Sequence, residues 1–165
     1  STSGVLFAAG STLEQQVRTT QGAQRTSSRV DTLALASGTA HIVVNAHCRI
    51  DPGADDAEVR QRLTGIPTDG QPKVVLRPHL EIHHDRVQAA HGATWGALPE
   101  EALFSAAQRG LDEREARALI IEGMASASLA RCLETPGLMA ELGVDRLLAS
   151  TVARHLAGPT EACHG

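Results

Sequence analysis

The chain has 165 residues, a formal net charge of −4 at neutral pH, two Phe, one Trp and no Tyr. That length holds one domain, or one domain with a helical appendage, and any core must be built from Ala, Leu, Val and Ile, which suit a β-solenoid or an ordinary α/β fold. The charge and the lack of a basic run argue against nucleic-acid binding and an electrostatic membrane patch.

No stretch approaches the roughly 20 apolar residues of a spanning helix. The apolar first nine residues are too short, and lack the basic flank, for a signal peptide. Cys48, Cys132 and Cys163 are odd in number and far apart, fitting neither a disulfide framework nor a zinc ribbon. The expectation is a soluble, cytoplasmic protein with reduced thiols.

Gly4–Ala9 is a short strand candidate ending at Gly10, and residues 11–29 show no clean period. Val30, Leu33 and Leu35 form a strand before Ser37-Gly38. Thr39–Ile50 is the clearest strand, with Ile42, Val44, Ala46, Cys48 and Ile50 on one face and His41, Val43, Asn45, His47 and Arg49 on the other. Residues 54–64 have the propensity of a short helix capped by Asp55 or Asp56, with Val59 and Leu63 inward. Thr68–Pro72 is a turn and Lys73–Leu76 a further strand.

Pro78 to Trp95 holds four of the eight histidines. Leu80 and Ile82 alternate with Glu81 and His83, which places His79, Glu81 and His83 on one strand face. Asp85-Arg86 turns the chain, and Val87, Ala89, His91 and Ala93 form a second alternating set.

From Pro99 the pattern is helical. Leu103, Ala106 and Ala107 face inward and Gly110 stops the first helix. Asp112 and Glu115 make a capping box for a second helix, with Ala116, Leu119, Ile120, Gly123, Met124 and Ala127 on its buried face. It ends near Cys132 or Leu133, before Pro136-Gly137. A third helix, about Asp145–Leu156, turns Leu148, Val152 and Leu156 inward; Gly158-Pro159 closes it, and a mobile tail follows.

The motifs Pro78-x-Leu80-Glu81-Ile82, His91-Gly92-Ala93-Thr94-x-Gly96, Glu100-Glu101-Ala102-Leu103-Phe104 and Arg109-Gly110-Leu111-x-Glu113-x-Glu115-Ala116 resemble the C-terminal part of the SufB/SufD family, the scaffold subunits of bacterial iron–sulfur cluster assembly. The likeness runs from about Arg25 to about Glu134 and is specific from Leu80 to Ala118. It implies a short right-handed parallel β-helix (residues 1–98) followed by a C-terminal helical segment (99–165), and extended chain at 54–64 where propensity favours a helix. Family members are much longer, so the chain is either a segment of one or a short stand-alone relative.

His91 alternates with Val87 and Ala89, so by pattern alone it is a hydrogen-bonded core histidine. The resemblance implies instead a residue at the subunit interface, where a transient cluster or iron is held; a neutral imidazole is a competent iron ligand. Ala89 stands where many family members carry a cysteine. His79, Glu81 and His83, joined by His41, Asn45 and His47 from a neighbouring coil, are the candidate donor set for a metal-binding protein or metal-dependent enzyme. The plainer alternative is a solvent-facing strand.

Cys48 is most simply a small buried hydrophobe, and Cys163-His164 is a tail pair able to bind metal opportunistically. No hydrolase, metalloprotease or phosphate-loop motif is present. The resemblance further implies a SufD-like, non-catalytic subunit that pairs with a SufB-type subunit. It would dock a SufC-type ATPase through Glu101, Leu103, Phe104, Arg109, Gly110 and Glu115, unless those helices only cap the solenoid. A purely structural interaction module is the third alternative. Alone, the chain is expected to form a homodimer.

Overall fold

The computed structural model describes residues 1–133 and 137–157. Seven strands come first: β1 Thr2–Ala9, β2 Thr12–Gln21, β3 Ser27–Ser37, β4 His41–Ile50, β5 Ala57–Pro67, β6 Lys73–Ile82 and β7 Val87–Trp95. Four helices follow: α1 Glu100–Gln108, α2 Glu113–Ala130, α3 Leu138–Glu141 and α4 Val144–Leu156. The odd strands stack as a four-stranded sheet, β1-β3-β5-β7, and the even ones as a three-stranded sheet, β2-β4-β6. Every pairing is parallel. The chain therefore winds through about three solenoid coils of 28 to 32 residues, as the partners Thr2–Val30 and His41–Lys73 define.

One corner of each coil is a glycine in the left-handed region: Gly10, Gly38 and Gly70, at φ 67°, 62° and 69°. A Cβ on Gly70 would lie 2.9 Å from the carbonyl oxygen of Gly38, so the corner at Gly70 stacks on the one before it only without a side chain. Asp56 carries the opposite corner at φ 58°, where its N–H donates to the carbonyl of Arg86 in the next coil.

The interior is aliphatic. Ala34, Ile42, Val44, Ala46 and Leu63 form one buried cluster, and Cys48, Ile50, Ala57 and Val59 another. The predicted inner face of β4 is correct residue for residue, and Cys48 is the small buried hydrophobe expected.

β3 is buried on both faces because α2 and α4 lie across the outside of β1 and β3. There Leu33, Leu35 and Phe7 pack against Ile121, Ala125, Leu148 and Val152. The helices thus cover a flank of the solenoid and, among the described residues, leave β7 bare.

Residues 11–29, without a legible period, contain β2 and the start of β3. Residues 54–64 are extended, as the resemblance implied and helix propensity did not. The strand at Lys73 runs unbroken to Ile82.

Two helix faces need correction. Ala107 is exposed, while Leu103 and Ala106 face inward. On α2 the buried line is Ala116, Ile121, Ala125 and Ser128; Leu119, Gly123 and Ala127 point outward. Small residues let α2 approach the sheet, and the polar Ser128 is buried because its hydroxyl donates to the Asp31 carboxylate at 2.5 Å. The Asp112–Glu115 capping box is present in both directions. On α4 Leu148 and Val152 are inward as expected, joined by His155. The expectations for Glu134, Pro136, Gly158-Pro159, the tail and Cys163-His164 lie outside the described residues.

Candidate functional site at the exposed strand

β7 exists because Val87, Ala89, His91, Ala93 and Trp95 continue the inward face of β5 in parallel register, Ala57, Val59, Gln61, Leu63 and Gly65 standing opposite them. Its side chains are nonetheless exposed from Gln88 to Trp95. β7 ends its sheet, and β6 ends the facing sheet, so among the described residues no further coil covers it. His91 therefore has the parity of a core residue and the exposure of a surface one. The reading as a buried core histidine is overturned on burial.

Beneath it, Gln61 is buried, donates from Nε2 to the carbonyl of His79 at 3.4 Å, and among the described residues has no partner for its Oε1. Polar side chains inside an aliphatic solenoid are costly unless satisfied. Gln61 escaped sequence reasoning because residues 54–64 resembled a helix. Its alternation with Val59 and Leu63 was the available signal.

The second histidine group lies on the outer face of β4 and β6. His47 stands opposite His79, with ring centroids 4.8 Å apart. Glu81 receives His83 Nε2 at 2.6 Å and faces His47 Nε2 at 3.4 Å. The hydrogen bond from His83 holds the Glu81 carboxyl below its usual range, helped by the nearby charges of Arg49 and His47.

His41 and Asn45 pair with Lys73 and Arg77, farther down the sheet. Among the described residues, no three His, Cys, Asp or Glu side chains converge to hold a metal ion. What the arrangement forms is a surface chain of histidines around one carboxylate.

In the helical segment, Glu101 and Phe104 point to solvent, Phe104 with 66% of its surface exposed. Leu119 of α2, at 59%, is exposed as well. Leu103 is packed against the core cluster, Glu115 is engaged in the capping box, and Arg109 bonds the Ser105 carbonyl and hydroxyl. Gly110 adopts φ 86° and ends α1. The surface on offer is therefore Glu101 and Phe104, with Leu119 as a residue that the sequence had assigned to the interior.

The core domain of SufB and SufD from the SUF system of iron–sulfur cluster assembly matches residues 1–124. The chain belongs to the SufBD family. It is 36% identical to the iron–sulfur cluster assembly protein SufD of Escherichia coli over 44% of this chain and 20% of that protein. It is 33% identical to SufD of Plasmodium berghei over 58% of this chain and 7% of that protein. A SufBD-family protein of Mycobacterium tuberculosis is 27% identical over 61% of this chain and 12% of its own length. The matched stretch thus spans a fifth or less of these relatives.

The family match reaches through β7 and into α2, so it includes His91, Gln61 and the histidine face. No helix among the described residues is long and apolar enough to cross a membrane.

Proposed function

We propose that the chain serves as a SufD-like scaffold or accessory subunit in iron–sulfur cluster assembly. The observation that carries this reading is β7, an edge strand that brings the exposed His91 imidazole to a sheet margin unpaired among the described residues. An edge strand offers its outward N–H and C=O groups to another chain. A SufB-type subunit pairing there would bury His91 at the join, where a neutral imidazole can ligate iron of a cluster passing through as cargo. His91 then works as a ligand supplied by this subunit, without the thiolate that Ala89 omits. With no partner chain present, β7 pairs with its own copy.

The second contact is with a SufC-type ATPase, through Phe104, Glu101 and Leu119. Exposed large apolar side chains on adjoining helices are what a protein partner covers. Sedimentation of the chain mixed with such an ATPase tests this: a joint species at tens of micromolar is expected. Its absence with every cognate ATPase would remove the docking role.

A further inference from the structure

Four guanidinium groups, Arg29, Arg60, Arg62 and Arg131, surround a groove of about 610 Å³ on the outer face of β3, β5 and β7. Among the described residues, only two carboxylates, Asp31 and Glu58, line it with them. Asp31 is buried and already taken, by Ser128 and by Arg131 Nη1 at 3.1 and 3.0 Å. Glu58 pairs with Arg60 along the same strand at 2.7 Å.

Arg29 stands directly opposite Arg60, a like-charge pairing that costs stability in a sheet. Arg62 stands opposite Asp31, but among the described residues it has no ion pair, since Arg131 occupies that carboxylate. The groove is therefore a local surplus of positive charge on a chain whose net charge is −4.

We infer that this groove recognises a β-strand of a different chain that carries carboxylates at alternate positions and adds to the free edge of β7. The inference rests on the edge pairing proposed above and names the chemistry of the strand that pairs. Opposite Arg60 and Arg62, β7 places Ala90 and Gly92, and a Cβ on Gly92 would meet nothing within 4 Å. The sheet surface between the arginines and the free edge is thus nearly bare.

An added strand would set its outward side chains about 10 Å, or two strand spacings, from those of β5. Long Glu and Arg side chains meet over that gap, above Ala90 and Gly92. Carboxylates two residues apart match Arg60 and Arg62, because alternate residues share a face. Arginine–carboxylate hydrogen bonds of this kind set register and partner choice. A second copy of this chain cannot supply them in the same place: the outward residues of β7 are Gln88, Ala90, Gly92 and Thr94. Self-pairing leaves Arg62 without an ion pair and Arg60 with Glu58 alone, and a heterologous acidic strand supplies a carboxylate to each.

The test uses two synthetic ten-residue strand peptides, one alternating Glu with Thr and one alternating Gln with Thr. Binding to the full chain, held at a dilution where sedimentation shows it monomeric so that no second copy occupies β7, is followed by the fluorescence of Trp95, its single tryptophan, and by the amide shifts of β7. The Glu peptide is expected to half-saturate at a concentration at least tenfold below the Gln peptide. Arg60→Gln/Arg62→Gln should abolish that preference and leave binding of the Gln peptide unchanged.

Equal binding of the two peptides would overturn the arginine reading while leaving edge pairing intact. No binding of either at millimolar concentration would overturn both. If citrate or inorganic phosphate displaces the Glu peptide stoichiometrically and shifts only Arg60 and Arg62, the groove is a small-anion site and the strand proposal fails.

Discussion

Gln61 and His91 stand opposite each other on β5 and β7, on the same inward face, yet one is buried and the other lies in solvent. The difference is position in the stack. β5 is sandwiched between β3 and β7, whereas among the described residues β7 has a neighbour on one side only. A residue type and pattern that would place a histidine in the core instead present it at a margin where a second subunit can reach it.

His91→Ala should therefore leave the isolated protein's stability within about 0.5 kcal/mol of the parent, as for other exposed positions without special partners. In a reconstituted assembly with SufB-type and SufC-type partners, the same substitution is expected to lower the yield of transferred cluster. Thermal melts and a cluster-transfer assay, run on one preparation, separate the two effects. A fall of many degrees in melting temperature would show that His91 is a packing residue.

Asp31 is the hinge between helix and sheet. Its buried carboxylate is held by Ser128 and Arg131 from the end of α2. Arg131→Ala removes one counter-charge from that carboxylate while Ser128 and the neighbouring Arg62 remain, and Arg131 is itself partly exposed, so the expected loss is about 1.5–3 kcal/mol, that of a hydrogen bond to a charged group. Urea unfolding measures it. Asp31→Asn combined with Arg131→Ala should recover part of the loss, because the buried charge is then gone.

The strand that alternates most cleanly, β4, was legible because its inner face is apolar throughout and its outer face is almost entirely polar. β2 was not: its part-buried line is Leu13, Gln15, Val17 and Thr19, and only half of those are apolar. β5 misled because Val59 and Leu63 are four apart, a spacing that fits one helix face and one strand face equally. Asp55 and Asp56 looked like a cap but form a coil corner, where Asp55 receives His84 Nε2 at 2.5 Å.

The face of α2 was rotated because Ser128 is polar and its partner, Asp31, is 97 residues away. The exposure of His91 was invisible for a similar reason. No local pattern states which coil is the last.

His155 gives the fold a pH dependence. Its ring is buried between Phe7, whose ring centroid lies 5.4 Å away, and Thr68, whose Oγ1 is 2.7 Å from Nε2. Burial lowers its pKa below the ordinary 6.5. The unfolded chain then binds the proton more readily than the folded one, so the contribution of His155 is fully present above pH 6.5 and is lost as pH falls from there through the folded value. Unfolding free energies measured from pH 7.5 to 5.5 should decline in the parent more steeply than in His155→Gln. Glu81 and Asp56, whose pKa values are lowered by His83 and Arg86, act in a separate window below about pH 4.5.

Phe104→Glu and Leu119→Glu should each weaken association with a SufC-type ATPase by tenfold or more, because truncating or charging a central apolar anchor is where interface energy concentrates. Both side chains are exposed, so melting temperatures should change little. Leu103→Glu makes the contrast: it packs into the helix–sheet cluster and should destabilise the fold itself. If Phe104→Glu and Leu119→Glu bind the ATPase as well as the parent does, the docking surface lies elsewhere.

Self-association is the last expectation. β7 is an edge of nine residues with small side chains on its outer face and none that would block a neighbour: Ala90 and Gly92 are bare, and no proline or lysine interrupts it. Natural edge strands are normally protected by such residues or by a covering element, and α2 and α4 lie over β1 and β3, toward the opposite edge of the sheet. A two-fold pairing of β7 with its copy satisfies the edge and closes the assembly. Sedimentation at micromolar concentration should give a mass near twice 17.3 kDa. A lysine at position 92, introduced as Gly92→Lys, has open space on the outer face and should shift the equilibrium to monomer without unfolding the chain. A parent that is monomeric throughout that range would show that β7 does not pair with itself, and the homodimer would be withdrawn.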